Sequence, residues 1–333
     1  MIVLVSPNVM ISDEHMDGTT LPKIAWPEGK QFAFTIFDDP DFDTAENVAS
    51  MYSFLSDIGL CTTKAVWPLK GSGTPRVGGV TCEDQQYLKL ILSLQRQGFE
   101  IAIHNVTNHT SIRHETVRGL EIFERLFGHP PSSMANHSGC DESIYWGSAR
   151  VTGLQRFIYN LLNLRMSGRN NLSQGHLENG ALFWGDLCRE KVKYVRNFVF
   201  CDINTLKACP MMPYHDPARP FVNYWFAASE GANIHSFTSL TSESHQERLV
   251  KEGGASIIYT HFAKGFLDRG RINGRFKMLM ERLSKMNGWF VPVSTLLDFM
   301  LQAKGRHVIT RAERCRLERR WIWHKIVHTR GRT

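Results

Sequence analysis

Three short apolar runs that each stop at an ionisable residue constrain this chain more than any other feature. Phe34-Thr35-Ile36-Phe37 runs into Asp38-Asp39-Pro40, Phe99-Glu100-Ile101-Ala102-Ile103 runs into His104, and Ala255-Ser256-Ile257-Ile258-Tyr259-Thr260 runs into His261. A buried strand of this length delivers whatever follows it to the mouth of the core. Two adjacent carboxylates are tolerated there only around a cation or a shared proton. Between the runs, apolar residues recur at helical spacing. Val48, Met51, Tyr52, Leu55 and Ile58 mark one face of a helix over residues 43–58, entered through a cap at Asp43-Thr44, and 85–97, 115–127 and 273–286 read similarly. Strand-helix alternation over this length predicts an α/β parallel barrel whose reactive residues gather at one rim.

The order of these phrases resembles the NodB-homology polysaccharide deacetylases, the fourth carbohydrate-esterase family. That family opens on Thr-Phe-Asp-Asp-Gly-Pro, continues with His-Ser/Thr-x-x-His and closes on an apolar strand ending Leu-His. The counterparts here are Phe37-Asp38-Asp39-Pro40, His104 to His109, and Tyr259-Thr260-His261, so the likeness spans about residues 32–297. The resemblance implies an irregular (β/α)7 barrel and a metal-dependent hydrolase that removes an N-acyl group, usually N-acetyl, from an amino sugar or polysaccharide precursor. By the same resemblance Asp38 is the general base, Asp39, His104 and His109 hold one divalent metal, and His261 is the general acid. An amide carbonyl needs a Lewis acid and hydroxide at neutral pH, which a two-His-one-carboxylate site supplies. Zinc is the first expectation, and iron, cobalt and manganese suit the same donors.

The chain departs from the family pattern at three places. The paired histidines stand five residues apart, one more than usual, so His109 needs a bulged loop to reach the metal. Asn108, His137 and Asp41 are next in line as the third ligand. Pro40 follows Asp39 without the usual glycine, and Phe262 stands where an aspartate commonly follows the closing histidine. Asp186, then Asp298, is the expected orienting partner of His261. Where the family carries an Arg-Pro-Pro-Tyr-like loop and a Trp/Asp phrase, this chain has Ala135-Asn136-His137-Ser138-Gly139 and Phe183-Trp184-Gly185-Asp186. Asn136, His137, Trp184, Asp186 and Arg196 are the expected substrate-binding residues, with Trp184 as a stacking wall for sugar.

With 333 residues and 42% hydrophobic content the chain can bury one large core, and no linker-like stretch divides it. Residues 1–304 read as the barrel, with an insertion near 145–180 and an exposed loop over 165–171. Residues 305–333 read as a basic helical tail with Leu317, Trp321, Ile322 and Ile326 on its apolar side. That stretch holds nine Lys/Arg against Glu313 and Glu318 and so carries the whole formal excess of +7. Such a tail suits an anionic membrane surface or a pyrophosphate-linked substrate, whereas no nucleic-acid-binding module accompanies the charge.

The apolar start at residues 1–7 is too short for a secretory signal, and seven cysteines without close pairing read as reduced thiols. These features predict a cytoplasmic protein, membrane-peripheral through its tail, acting on a sugar still linked to a nucleotide or lipid. Two other functions fit parts of the sequence. The triplets Asp39-Pro40-Asp41 and Asp41-Phe42-Asp43 match the acidic motif of a metal-dependent nucleotide-sugar transferase, but they leave His104, His109 and His261 without work. A non-catalytic carbohydrate-binding relative accounts for the altered histidine spacing.

Overall fold

A computed structural model describes residues 24–167 and 173–329 of the chain. Eight strands organise it: β1 (Phe32–Asp38), β2 (Thr63–Val66), β3 (Glu100–Ile103), β4 (Ser133–Met134), β5 (Tyr194–Phe200), β6 (Tyr214–His215), β7 (Tyr224–Glu230) and β8 (Ala255–Thr260). All but β6 close into a seven-stranded parallel barrel in the order β1-β2-β3-β4-β5-β7-β8, and β8 returns to β1 from Ala33↔Ala255 to Asp38↔Thr260. β6 pairs antiparallel with β7.

The closure is uneven. β1 meets β2 only at Phe37↔Thr63 and Asp38↔Lys64, because the short strand Gly288–Phe290 occupies the same edge of β1 lower down, from Phe32↔Gly288 to Phe34↔Phe290. A Cβ on Gly288 would lie 2.6 Å from the Phe32 ring and 2.7 Å from the Phe290 ring, so only glycine lets this strand slot in. Every residue of β1 is buried, and each of its large apolar side chains contributes roughly 1.5–3 kcal/mol of burial.

Helices follow the early strands as their periodicity predicts: Ala45–Asp57 after β1, Gln85–Arg96 after β2 and Arg113–Phe127 after β3. Thr44 caps the first through a reciprocal pair: its hydroxyl accepts from the Asn47 N–H at 3.1 Å, and its own N–H donates to the Asn47 side chain at 3.0 Å. Asp43, expected to share that cap, is drawn into the core.

The stretch read as an insertion carries the helix Gly153–Ser167, which takes in residues 165–167 of the expected loop; residues 168–172 lie outside the described residues, as do residues 1–7, Arg330 and Arg332. The basic C-terminal helix, Arg311–Thr329, is fastened to the barrel. Trp321 is fully buried, stacks on Tyr159 at 5.5 Å and meets Phe198 of β5 at 4.9 Å. Glu318, also fully buried, accepts from Arg219 at 3.0 Å and from Thr152 at 2.9 Å. Among the described residues no helix is long and apolar enough to cross a membrane.

Candidate metal centre

The chain leaves β1 through Asp38-Asp39-Pro40-Asp41-Phe42-Asp43. Pro40 cannot extend a strand ladder, and the Asp43 N–H closes a turn onto the Pro40 carbonyl at 3.1 Å. Phe42 takes a left-handed φ of 64°. The result is a two-faced segment, with Asp38 and Asp43 turned inward and Asp39 and Asp41 turned to the mouth.

On the inner face, the Lys64 ammonium of β2 lies 2.6 Å from Asp38 Oδ2 and 2.6 Å from Asp43 Oδ2, with all three side chains fully buried. Tyr52 donates to Asp38 and Tyr87 to Asp43, each at 3.2 Å, and the Phe262 N–H donates to the other Asp38 oxygen at 3.0 Å. Burial pushes Asp43 up to about 7. Burial alone would strip Lys64 of its proton, but the two carboxylates outweigh it and keep the ammonium charged.

On the mouth face, Asp41 Oδ1 lies 3.6 Å from His104 Nε2 and 3.5 Å from His137 Nδ1, and those two ring nitrogens are 3.0 Å apart. Donors about 2.1 Å from a single cation stand about 3.0 Å apart in an octahedron and about 3.4 Å apart in a tetrahedron. The three atoms therefore already have the mutual spacing of ligands around one ion. Asp41 Oδ1 is buried without a hydrogen bond, and burial lowers the His104 pKa, which keeps that imidazole neutral with a lone pair to give. One carboxylate and two imidazoles, all buried, fit a divalent cation.

Two further groups flank the cluster. Asp39 accepts from both Arg196 terminal nitrogens, at 2.9 and 2.6 Å, and its Oδ1 is 3.8 Å from His104 Nδ1. Burial alone would raise its pKa, yet the Arg196 guanidinium holds it below the usual carboxylate range. His261 donates from Nδ1 to the Ala232 carbonyl at 2.8 Å, which turns Nε2 toward Asp41 Oδ2 at 3.2 Å and Asp39 Oδ2 at 4.0 Å. Burial opposes its charge, but these carboxylates prevail and raise its pKa.

No family model matches the sequence, and no curated protein does. Solved structures do match. The Puue allantoinase overlays with a TM-score of 0.51 at 12% identity, covering 86% of this chain and 96% of its own. A Mycobacterium smegmatis protein assigned as a polysaccharide deacetylase gives 0.47 at 13% identity, covering 87% of this chain and 97% of its own. The peptidoglycan deacetylase PdaC from Bacillus subtilis gives 0.37 at 12% identity, covering 87% and 98%. The chain has the NodB-type fold. At these identities the likeness is one of fold.

Within that NodB-type barrel the site residues fall differently from the sequence expectation. His109 is not in the cluster: its Nε2 accepts from the Gly73 N–H at 3.0 Å and its Nδ1 donates to the Thr110 carbonyl at 2.8 Å, so the longer spacing sends it into a loop. His137 and Asp41 stand beside His104 instead. Asp38, expected as the base, has its oxygens occupied by Lys64, Tyr52 and the Phe262 N–H. Asp39, expected as a ligand, faces Arg196. Asn136 is spent on the Ile144 backbone at 3.0 and 2.7 Å. Trp184 is buried and donates to the Glu142 carbonyl at 2.6 Å, so it is no exposed stacking wall. Asp186 pairs with Arg113 at 2.8 and 2.6 Å, and Asp298 with Lys193 at 2.6 Å; a backbone carbonyl orients His261 in their place.

Sequence reasoning missed two supporting residues. Lys64 carried no signal, since a lysine on a strand ordinarily points outward. Glu142 is buried and accepts from Asn105 at 2.7 Å, and Asn105 in turn accepts from the His137 backbone N–H at 3.3 Å, which fixes the backbone that carries that ring.

Proposed function

We propose that this chain is a metal-dependent hydrolase that removes an N-acyl group, N-acetyl in the first instance, from an amino sugar or polysaccharide precursor. The observation that carries the reading is the buried Asp41, His104 and His137 cluster with Asp39 and His261 against it. The motif order that resembles the NodB-homology deacetylases, set on the matching fold, supports the reaction class. Asp41, His104 and His137 would hold the cation. Bound there, a divalent cation polarises the amide carbonyl and lowers the pKa of water.

The chain's own groups complete the chemistry. Asp39, ionised and held in plane by Arg196, takes the proton of the attacking water, a role first expected of Asp38. His261, kept protonated by its carboxylate neighbours, gives a proton from Nε2 to the departing nitrogen, while the Ala232 carbonyl fixes Nδ1. Zinc, iron, cobalt and manganese all suit the donors. We extend the reading to a sugar still linked to a nucleotide or lipid in a reducing, cytoplasmic setting; seven free thiols and a net charge of +7 support that extension.

Metal content of the purified chain, measured together with acetate or formate released from N-acylated amino sugars, tests the reading. We expect one cation per chain and free acid, both lost on chelation. A stoichiometric metal with no acid from free, nucleotide-linked or lipid-linked sugars would sink it.

A further inference from the structure

We propose that the face formed by the helix Gly153–Ser167 and the basic helix Arg311–Thr329 docks on an anionic lipid surface. The proposal is independent of the reaction assigned to the barrel. The two helices pack on each other through Tyr159 and Trp321, at 5.5 Å. Their outer sides carry large apolar side chains that a fully solvated helix would lack. Leu154 is 69% exposed, Phe157 67% and Leu161 46%, on one i, i+3, i+7 stripe. Trp323 is 68% exposed and Val327 47%, one turn apart on the neighbouring helix. These five make up half of the large apolar side chains found exposed among the described residues, a concentration that marks a binding surface.

Charge decides what binds. Arg316 and Arg319 are exposed and continue the Trp323 and Val327 stripe at helical spacing, and Arg156 is exposed beside Phe157. The helix Gly153–Ser167 contains no acidic residue. The two carboxylates of the C-terminal helix are spent elsewhere: Glu318 is buried on Arg219, and Glu313 accepts from the Thr310 N–H at 2.8 Å. A second copy of the chain would bring like charge against like charge on this face. An anionic bilayer neutralises it, while the aromatic and aliphatic side chains enter the headgroup boundary.

Co-sedimentation of the full chain with vesicles tests the proposal, using phosphatidylcholine alone and phosphatidylcholine with about one third phosphatidylglycerol. We expect binding to the anionic vesicles only, weakened by raising salt from ~0.1 M to ~1 M. Partitioning should drop by about tenfold or more in the pair Leu154→Ser/Phe157→Ser, and again in the pair Arg316→Glu/Arg319→Glu. Both pairs lie outside the cluster, so metal content and thermal midpoint are read alongside to confirm folding. Equal partitioning to both vesicle types, binding untouched by either pair of substitutions, or a dimer in light scattering that Phe157→Ser dissolves would each overturn the proposal.

Discussion

His137 and His109 exchange the parts that spacing alone would give them, and substitution separates the two. His137→Ala removes one of three buried donors and should lose the cation, with turnover falling by about a hundredfold or more. His109→Ala should keep metal stoichiometry in the same elemental analysis, because its ring serves only the Gly73 and Thr110 backbone. Glu142 yields a prediction with a definite sign in pH. Burial pushes it up to about 8 from an ordinary 4.5, so the folded state favours the neutral carboxyl. Its stabilising contribution is full below pH 4.5, fades as pH rises toward 8, and is gone above that. Glu142→Gln should therefore raise the denaturation midpoint at pH 7, by a free energy of about 3 kcal/mol, and change little near pH 4. A uniform shift across that range would refute the assignment. His137 stands in the sequence as a substrate-binding residue and only an alternative third ligand, and Glu142 gives no signal there at all. Asn105, at a left-handed φ of 56°, bridges Glu142 to His137, and a turn of that kind leaves no periodic trace.

The elements were legible where apolar runs were long enough to show a period. β1, β3 and β8 end where the sequence places their Asp and His residues, and the helices begin and end within a few residues of expectation. β4 is the exception, and it is why His137 stands behind His109 as third ligand in the sequence. It is two residues long and meets β3 at the single pair Ile103↔Met134, yet that pairing is what brings His137 beside His104. A two-residue strand has no alternation to read. The same holds for the Asp38 to Asp43 segment, where the choice between four carboxylates depends on a proline turn and one left-handed residue. At this scale Gly288→Ala is the sharpest test of the uneven closure. Its methyl would press on the Phe32 and Phe290 rings, and we expect a loss of about 1–3 kcal/mol in chemical denaturation without loss of the metal donors.

For the molecule as a whole, the sequence divides a barrel from a tail, whereas the fold fastens the two through the buried Trp321 indole and the Glu318 carboxylate. Trp321→Ala would empty a fully buried site between Tyr159 and Phe198, at an expected cost of about 3–5 kcal/mol, and urea unfolding should still show a single transition. A separate early transition would mean that the helix melts by itself. The closure of the ring also sets a timetable. β1 is made near the start of the chain, but β8, its partner along every residue from Ala33 to Asp38, arrives roughly two hundred residues later, and Gly288–Phe290 later still. At ~5–20 residues per second that is a wait on the order of 10 to 40 s on the ribosome. Throughout it, a largely apolar strand with an unpaired edge stands open to any neighbour, so the newborn chain depends on being shielded long before it has a site to protect.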